Sequence, residues 1–112
     1  MEIYLNNLII TIDGPSGSGK EKIAKYISKK YKLYHLDSGI LYRRLAAIFS
    51  KRDINLNDEQ NIKKILNSLA ILSHRRHSDL RNEEIGKKAS IIATKKTVRN
   101  FINKQQRLIV NK

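Results

Sequence analysis

Leu8-Ile9-Ile10-Thr11-Ile12-Asp13-Gly14-Pro15-Ser16-Gly17-Ser18-Gly19-Lys20 runs from a β-branched apolar stretch straight into a glycine-rich loop, and Lys20 opens a lysine-rich amphipathic segment. A strand, a glycine loop and a helix in that order is the setting a phosphate-binding loop needs. Glycines there take positive φ and turn backbone N–H groups inward. The helix start adds partial positive charge, and a lysine at the end of the loop reaches the outer phosphates of a nucleotide. The ligand implied is a polyphosphate. Glu21 departs from the full pattern, because a serine or threonine ordinarily stands there and offers a hydroxyl to magnesium.

Working outward, Ile9–Ile12 is expected as a strand buried on both faces, as parallel strands are. Residues Lys20 to Tyr31 form a helix with Ile23, Ala24, Ile27 and Tyr31 on one stripe and Lys22, Lys25, Lys29 and Lys30 toward water. Leu33-Tyr34-His35-Leu36 is a short second strand, and Asp37-Ser38-Gly39 starts a helix over Ile40–Ser50. Two successive strand-loop-helix units predict an α/β fold. Beyond Asp53 the pattern is helical. Asn57-Asp58-Glu59 caps a helix carrying Ile62, Ile65, Leu66, Leu69 and Leu72, and Ser73–Asp79 is a polar break. Two more helices follow, over Asn82–Ala93 with Ile85, Ala89 and Ile92, and over Lys96–Leu108 with Val98, Phe101, Ile102 and Gln105 on or near one face.

With 112 residues the chain is expected to form one modest domain. Within it, residues 1–56 form a phosphate-loop core and residues 57–112 a helical region. No cysteine is present, which excludes disulfides, zinc thiolates and cysteine nucleophiles. His35, His74 and His77 have no metal-ligand spacing, so no metal site is predicted from the protein's own residues. No apolar run approaches a bilayer span and the N-terminus lacks signal-peptide order, so a soluble cytoplasmic protein is expected. The net charge of +13 invites a nucleic-acid reading. Yet the basic residues are spread along the chain and aromatics are too sparse for a stacking platform, so solvated lysine-rich helix faces explain the charge better.

A second block, Leu36-Asp37-Ser38-Gly39-Ile40-Leu41-Tyr42-Arg43, asks for more than a helix cap, since Tyr42 and Arg43 fall within the following turn. Joined to Ile12–Lys20, it resembles the cytidylate kinases, bacterial-type nucleoside monophosphate kinases that phosphorylate CMP and dCMP with ATP. Leu80-Arg81-Asn82-Glu83-Glu84-Ile85, Ala89-Ser90, Val98-Arg99 and Gln106-Arg107 resemble that family's substrate-binding helices in the same order. The resemblance covers nearly the whole chain, with a shortened stretch between Leu69 and Leu80 where the family carries extra strands.

The resemblance implies an α/β P-loop nucleoside monophosphate kinase fold, truncated, with the first two strands and a helical substrate-binding region. It implies that Gly14, Pro15, Ser16, Gly17, Ser18, Gly19, Lys20, Glu21 and Lys22 hold ATP, that magnesium accompanies the ATP, and that Lys20 neutralises the moving phosphoryl group. Ser38, Arg43 and Arg99 match positions on the CMP phosphate or ribose side. Ser90 matches one that reads the cytosine edge, and Asp37 and Tyr42 lie near the substrate. From the residues alone, alternatives stay open: Asp37 and Ser38 suit a helix cap, Ser90 a packing position, and Arg43 and Arg99 a solvated surface.

The likeness stops at Gln106-Arg107, before the family's Gly-Arg-Asp block and its lid helices with their phosphoryl-gripping arginines. The third strand of this class lies between the first two, so without it the strands near Ile10 and Tyr34 need not pair with each other. Unpaired edges and uncovered apolar helix faces would then remain, so a marginal domain or one completed by another chain is expected. Three functions follow as expectations: a CMP and dCMP kinase, an inactive remnant that at most binds nucleotide, and a basic nucleic-acid-binding protein.

Overall fold

A computed structural model describes residues 2–5, 8–11, 18–31, 34–75 and 77–110. The chain divides into two compact units, residues 1–38 and 39–112. This division falls before the boundary expected at residue 56, because the helix that follows Asp37 is hydrogen-bonded to later helical segments and belongs with them.

The first unit holds a three-stranded sheet and one helix. Strands β1 (Glu2–Leu5), β2 (Leu8–Thr11) and β3 (Tyr34–Leu36) lie in the order β2-β1-β3. β1 is antiparallel to both neighbours, pairing Ile3 with Ile10 on one side and with His35 on the other. Two expectations change here. The strand at Ile10 is laddered in antiparallel fashion, whereas its apolar run predicted a parallel strand; Ile12, the last residue of that expected strand, lies outside the described residues. The strands near Ile10 and Tyr34 indeed do not pair, yet the place between them is filled, because β1 supplies the backbone donors and acceptors that both require. β2 and β3 thereby run in the same direction with β1 reversed between them.

Helix α1 (Lys20–Tyr31) packs on β1 and β3. Its charges follow the helix dipole, with Glu21 in the first turn and Lys29 and Lys30 in the last. Ala24 is fully buried, but Ile23, expected beside it on the apolar stripe, is 52% exposed, and Tyr26 is 62% exposed. At 3.6 residues per turn, Ile23 sits about 100° round the helix from Ala24, and of the stripe residues with described side chains Ala24 is buried and Ile27 half-buried. Lys30 Nζ lies 5.6 Å from the centre of the Tyr26 ring, within cation–π range.

The second unit is helical. Its helices are α2 (Ser38–Lys51), whose first residue closes the other unit, α3 (Glu59–Ser68), α4 (Glu83–Ile92) and α5 (Lys96–Val110); a 3-10 turn spans Ser78–Arg81. Of the apolar stripes read from the sequence, Ile62 and Leu66 of α3, Ala89 and Ile92 of α4, and Val98 and Ile102 of α5 are buried; Leu41, Leu45 and Phe49 of α2 and Ile109 of α5 join them in the core. Local chemistry sets the ends. The Asp58 carboxylate accepts the Asn61 N–H at 3.1 Å and starts α3, and Asn82 Oδ1 accepts the Glu84 N–H at 2.8 Å and starts α4. α2 stops where Asp53 takes φ 51°, with Ile54 N–H donating to Phe49 O and Asp53 N–H donating to Ser50 O. That is the Schellman pattern, and buried Ile54 and Phe49 provide its apolar contact.

Among the described residues, 69–75 and 77 have no regular structure, and side chains hold this segment. Gln105, 4% exposed, accepts the Leu72 N–H through Oε1 at 2.8 Å and donates through Nε2 to Ala70 O at 3.3 Å. Arg44 donates to Ser73 O at 3.3 Å and Arg75 O at 2.8 Å. Neither anchor was anticipated from the sequence beyond the placing of Gln105 on the apolar face of α5.

Candidate functional site

Ser18, Gly19 and Lys20 are the described end of the glycine loop; Gly14, Pro15, Ser16 and Gly17 lie outside the described residues. Gly19 takes φ 87°, and a Cβ built there meets nothing within 4 Å. Glycine is therefore required by the backbone and not by space. The Gly19 carbonyl accepts the Ile23 N–H at 3.2 Å, the opening bond of α1, so the amides of Glu21 and Lys22 precede the helical ladder. An unladdered helix start with partial positive charge suits an anion. Lys20 is half-buried as the first residue of α1, while Glu21 and Lys22 are exposed. Exposed Glu21 has a structural use as well, since a carboxylate in the first turn stabilises the helix. Asp37 and Ser38 are half-buried at the junction of β3 and α2.

In the second unit, α2 carries Tyr42, half-buried, and Arg43. Arg43 Nη1 donates to Leu80 O at 2.7 Å, a partly buried bond to the 3-10 turn. Its guanidinium also lies on α4 at Gly86, where a Cβ would stand 3.3 Å from Nη2 and 3.4 Å from Nη1. Gly86 O in turn accepts the Ser90 hydroxyl at 3.1 Å. Arg43 and Ser90, forty-odd positions apart in the chain, thus meet at the same glycine. Arg99 is exposed on α5. The alternatives left open by the sequence divide accordingly: Arg43 is held and partly buried, whereas the Ser90 side chain is exposed and back-bonded to its own helix. Gly86 and Leu80 are the residues that sequence reasoning missed. Leu80 contributes only a backbone carbonyl, and the signal at Gly86 is a glycine inside a helix, which costs helix stability unless something needs the space.

A groove of about 450 Å³ opens between α3 and α5, with Leu66, Leu69, Phe101 and Leu108 among its apolar lining and Lys63 and Lys104 among its polar lining. It contains none of the nucleotide-site residues expected from the sequence, and its Leu66, Leu69, Phe101 and Gln105 come from the apolar stripes. Among the described residues no cluster of His, Asp and Glu could hold a metal, and no helix is long and apolar enough to cross a membrane.

Residues 10–112 match the protein family described as cytidylate kinase. The chain belongs to the cytidylate kinase family. It is 32% identical over 118 residues to the cytidylate kinase of Fusobacterium nucleatum, covering 96% of this chain and 54% of that protein. To the cytidylate kinase of Thermodesulfovibrio yellowstonii it is 36% identical over 118 residues, covering 93% and 53%. It is also 36% identical over 115 residues to a bifunctional pantoate ligase/cytidylate kinase of Prochlorococcus marinus, covering 90% of this chain and 22% of that protein. The chain therefore spans about half the length of these cytidylate kinases and a smaller share of the bifunctional protein. Membership in the cytidylate kinase family implies a P-loop nucleoside monophosphate kinase fold.

Proposed function

We propose that this chain carries the nucleotide-binding part of a cytidylate kinase, which transfers the γ-phosphoryl group of ATP to CMP or dCMP. The observation that supports it most is the match to the family across residues 10–112, with Gly19 in the left-handed backbone that a phosphate loop requires directly before Lys20. In this reading residues 14–22 cradle the ATP phosphates and Lys20 neutralises charge as the phosphoryl group moves. Ser38, Arg43 and Arg99 hold the acceptor on its phosphate and ribose side, with Tyr42 and Asp37 beside it, and Ser90 reads the base. Arg43 suits a phosphate because its guanidinium has five donors and Leu80 O engages one nitrogen.

Magnesium supplied with ATP spreads the phosphate charge, and Glu21 is an oxygen donor of the hard type this ion prefers. The same carboxylate repels the phosphates when no metal stands between them. Glu21 thus favours a second reading, a chain without efficient transfer that at most binds nucleotide. Phosphoryl transfer draws on several cations around the moving group.

The test measures ADP release by the purified chain with CMP, dCMP, AMP and UMP, alone and with the C-terminal half of a curated relative added. Release specific to CMP and dCMP and abolished by Lys20→Ala supports the proposal. Calorimetric binding of ATP or CMP with no release in either mixture would establish the second reading, and absence of both would remove the first reading and nucleotide binding with it.

A further inference from the structure

Arg43 is held on two sides by backbone. Its Nη1 donates to Leu80 O, and its plane rests on α4 where Gly86 has no side chain. A methyl group at residue 86 would stand 3.3 Å from Nη2, 3.4 Å from Nη1 and 3.6 Å from Cζ. Carbon and its non-bonded neighbours settle at about 3.5–4.0 Å, so the guanidinium would have to withdraw by a few tenths of an ångström. It is the end of a long flexible side chain and is able to withdraw, but doing so strains the 2.7 Å bond to Leu80 O and changes the direction of the remaining N–H donors. Glycine as the fourth residue of a ten-residue helix is otherwise unfavourable relative to alanine. Its cost has a compensating use only if the space it leaves matters.

We infer that Gly86 is a positioning residue for the acceptor nucleotide: by leaving room for the Arg43 guanidinium against α4, it sets the orientation in which Arg43 meets the nucleotide's phosphate. The inference rests on the cytidylate kinase reading for the part that concerns the ligand. Gly86 touches no ligand itself in this assignment and acts through Arg43 alone. The separation of stability from binding follows directly. Gly86→Ala improves helix propensity, so its melting temperature stays level or rises, while a misdirected charge-assisted hydrogen bond weakens CMP binding by about tenfold. A merely structural glycine would move both in the same direction.

The experiment uses the whole chain, its Gly86→Ala and Arg43→Lys variants, and the double variant. The side-chain Nε–Hε resonance of Arg43, assigned by its loss in Arg43→Lys, is recorded without ligand, and CMP is titrated by calorimetry. The expected result is a shifted Arg43 resonance and about tenfold weaker CMP binding in Gly86→Ala at undiminished melting temperature, with no further loss when Gly86→Ala is added to Arg43→Lys. An unmoved resonance, unchanged CMP affinity, or an equal loss in the Arg43→Lys background would each overturn the inference. If the unaltered chain binds no CMP, the acceptor reading falls with the ligand half of the inference. The resonance then still decides whether Gly86 orients Arg43.

Discussion

Gln105 ties an irregular stretch of backbone to α5, and replacing it by leucine isolates the value of that tie. The amide is 4% exposed and Leu72, whose N–H it accepts at 2.8 Å, is 6% exposed. Gln105→Leu keeps most of the side-chain volume but leaves a buried N–H with no acceptor, at a cost of roughly 1–3 kcal/mol. The weaker donation to Ala70 O at 3.3 Å is lost as well. Relief from burying a polar amide offsets part of this, and the net loss is expected at about 1–2 kcal/mol. For a domain of this size that lowers the melting temperature by roughly 4–12 °C. The assay pairs thermal unfolding with amide hydrogen exchange, because the tie predicts that the Leu72 amide loses protection well before α5 does. A melting temperature within about a degree of the parent, with the Leu72 amide still protected, would refute the idea that this glutamine anchors the break.

Three further outcomes are expected. Asp53→Gly should stabilise the chain by about 0.5–1 kcal/mol, since φ 51° strains a residue with a Cβ and a carboxylate opposes the dipole at the C-terminus of α2; an unchanged or lower denaturant midpoint would contradict this. Arg44→Ala removes the donors to Ser73 O and Arg75 O, so limited trypsin digestion should cut faster after Arg75, and an unaltered cleavage rate would show that the segment is held by other means. Asp58→Ala should cost about 1 kcal/mol through loss of the cap on the Asn61 N–H, read as a lower melting temperature with the far-ultraviolet helical signal retained below the transition.

Much of the helical part was legible because its signals are local. Asp58 before Glu59 and Asn82 before Glu83 mark helix starts by the hydrogen bonds their side chains can make, and the spacing of Ile62 and Leu66 or of Val98 and Ile102 assigns the buried face. β1 was not legible in the same way. Glu2–Leu5 is short, and its pairing with Tyr34–Leu36 depends on a backbone partner far along the chain. Asn6-Asn7, a turn-prone pair ahead of an apolar run, was the available hint of a hairpin. The stripe on α1 was overdrawn at Ile23 because periodicity marks a possible face without telling how wide the partner is.

For the candidate site, residue types in one short segment pointed to a phosphate loop and to the Lys20 that ends it, and the resemblance pointed to Arg43 and Ser90. The tertiary structure alone decided which backbone atoms those residues meet. The Leu80 carbonyl that receives Arg43 lies in a 3-10 turn thirty-seven positions further along the chain, and the bare backbone of Gly86 comes under the guanidinium only once α2 and α4 are assembled. Local pattern encodes what a residue can do, whereas the neighbour that holds it in place is chosen by packing between segments distant in the chain.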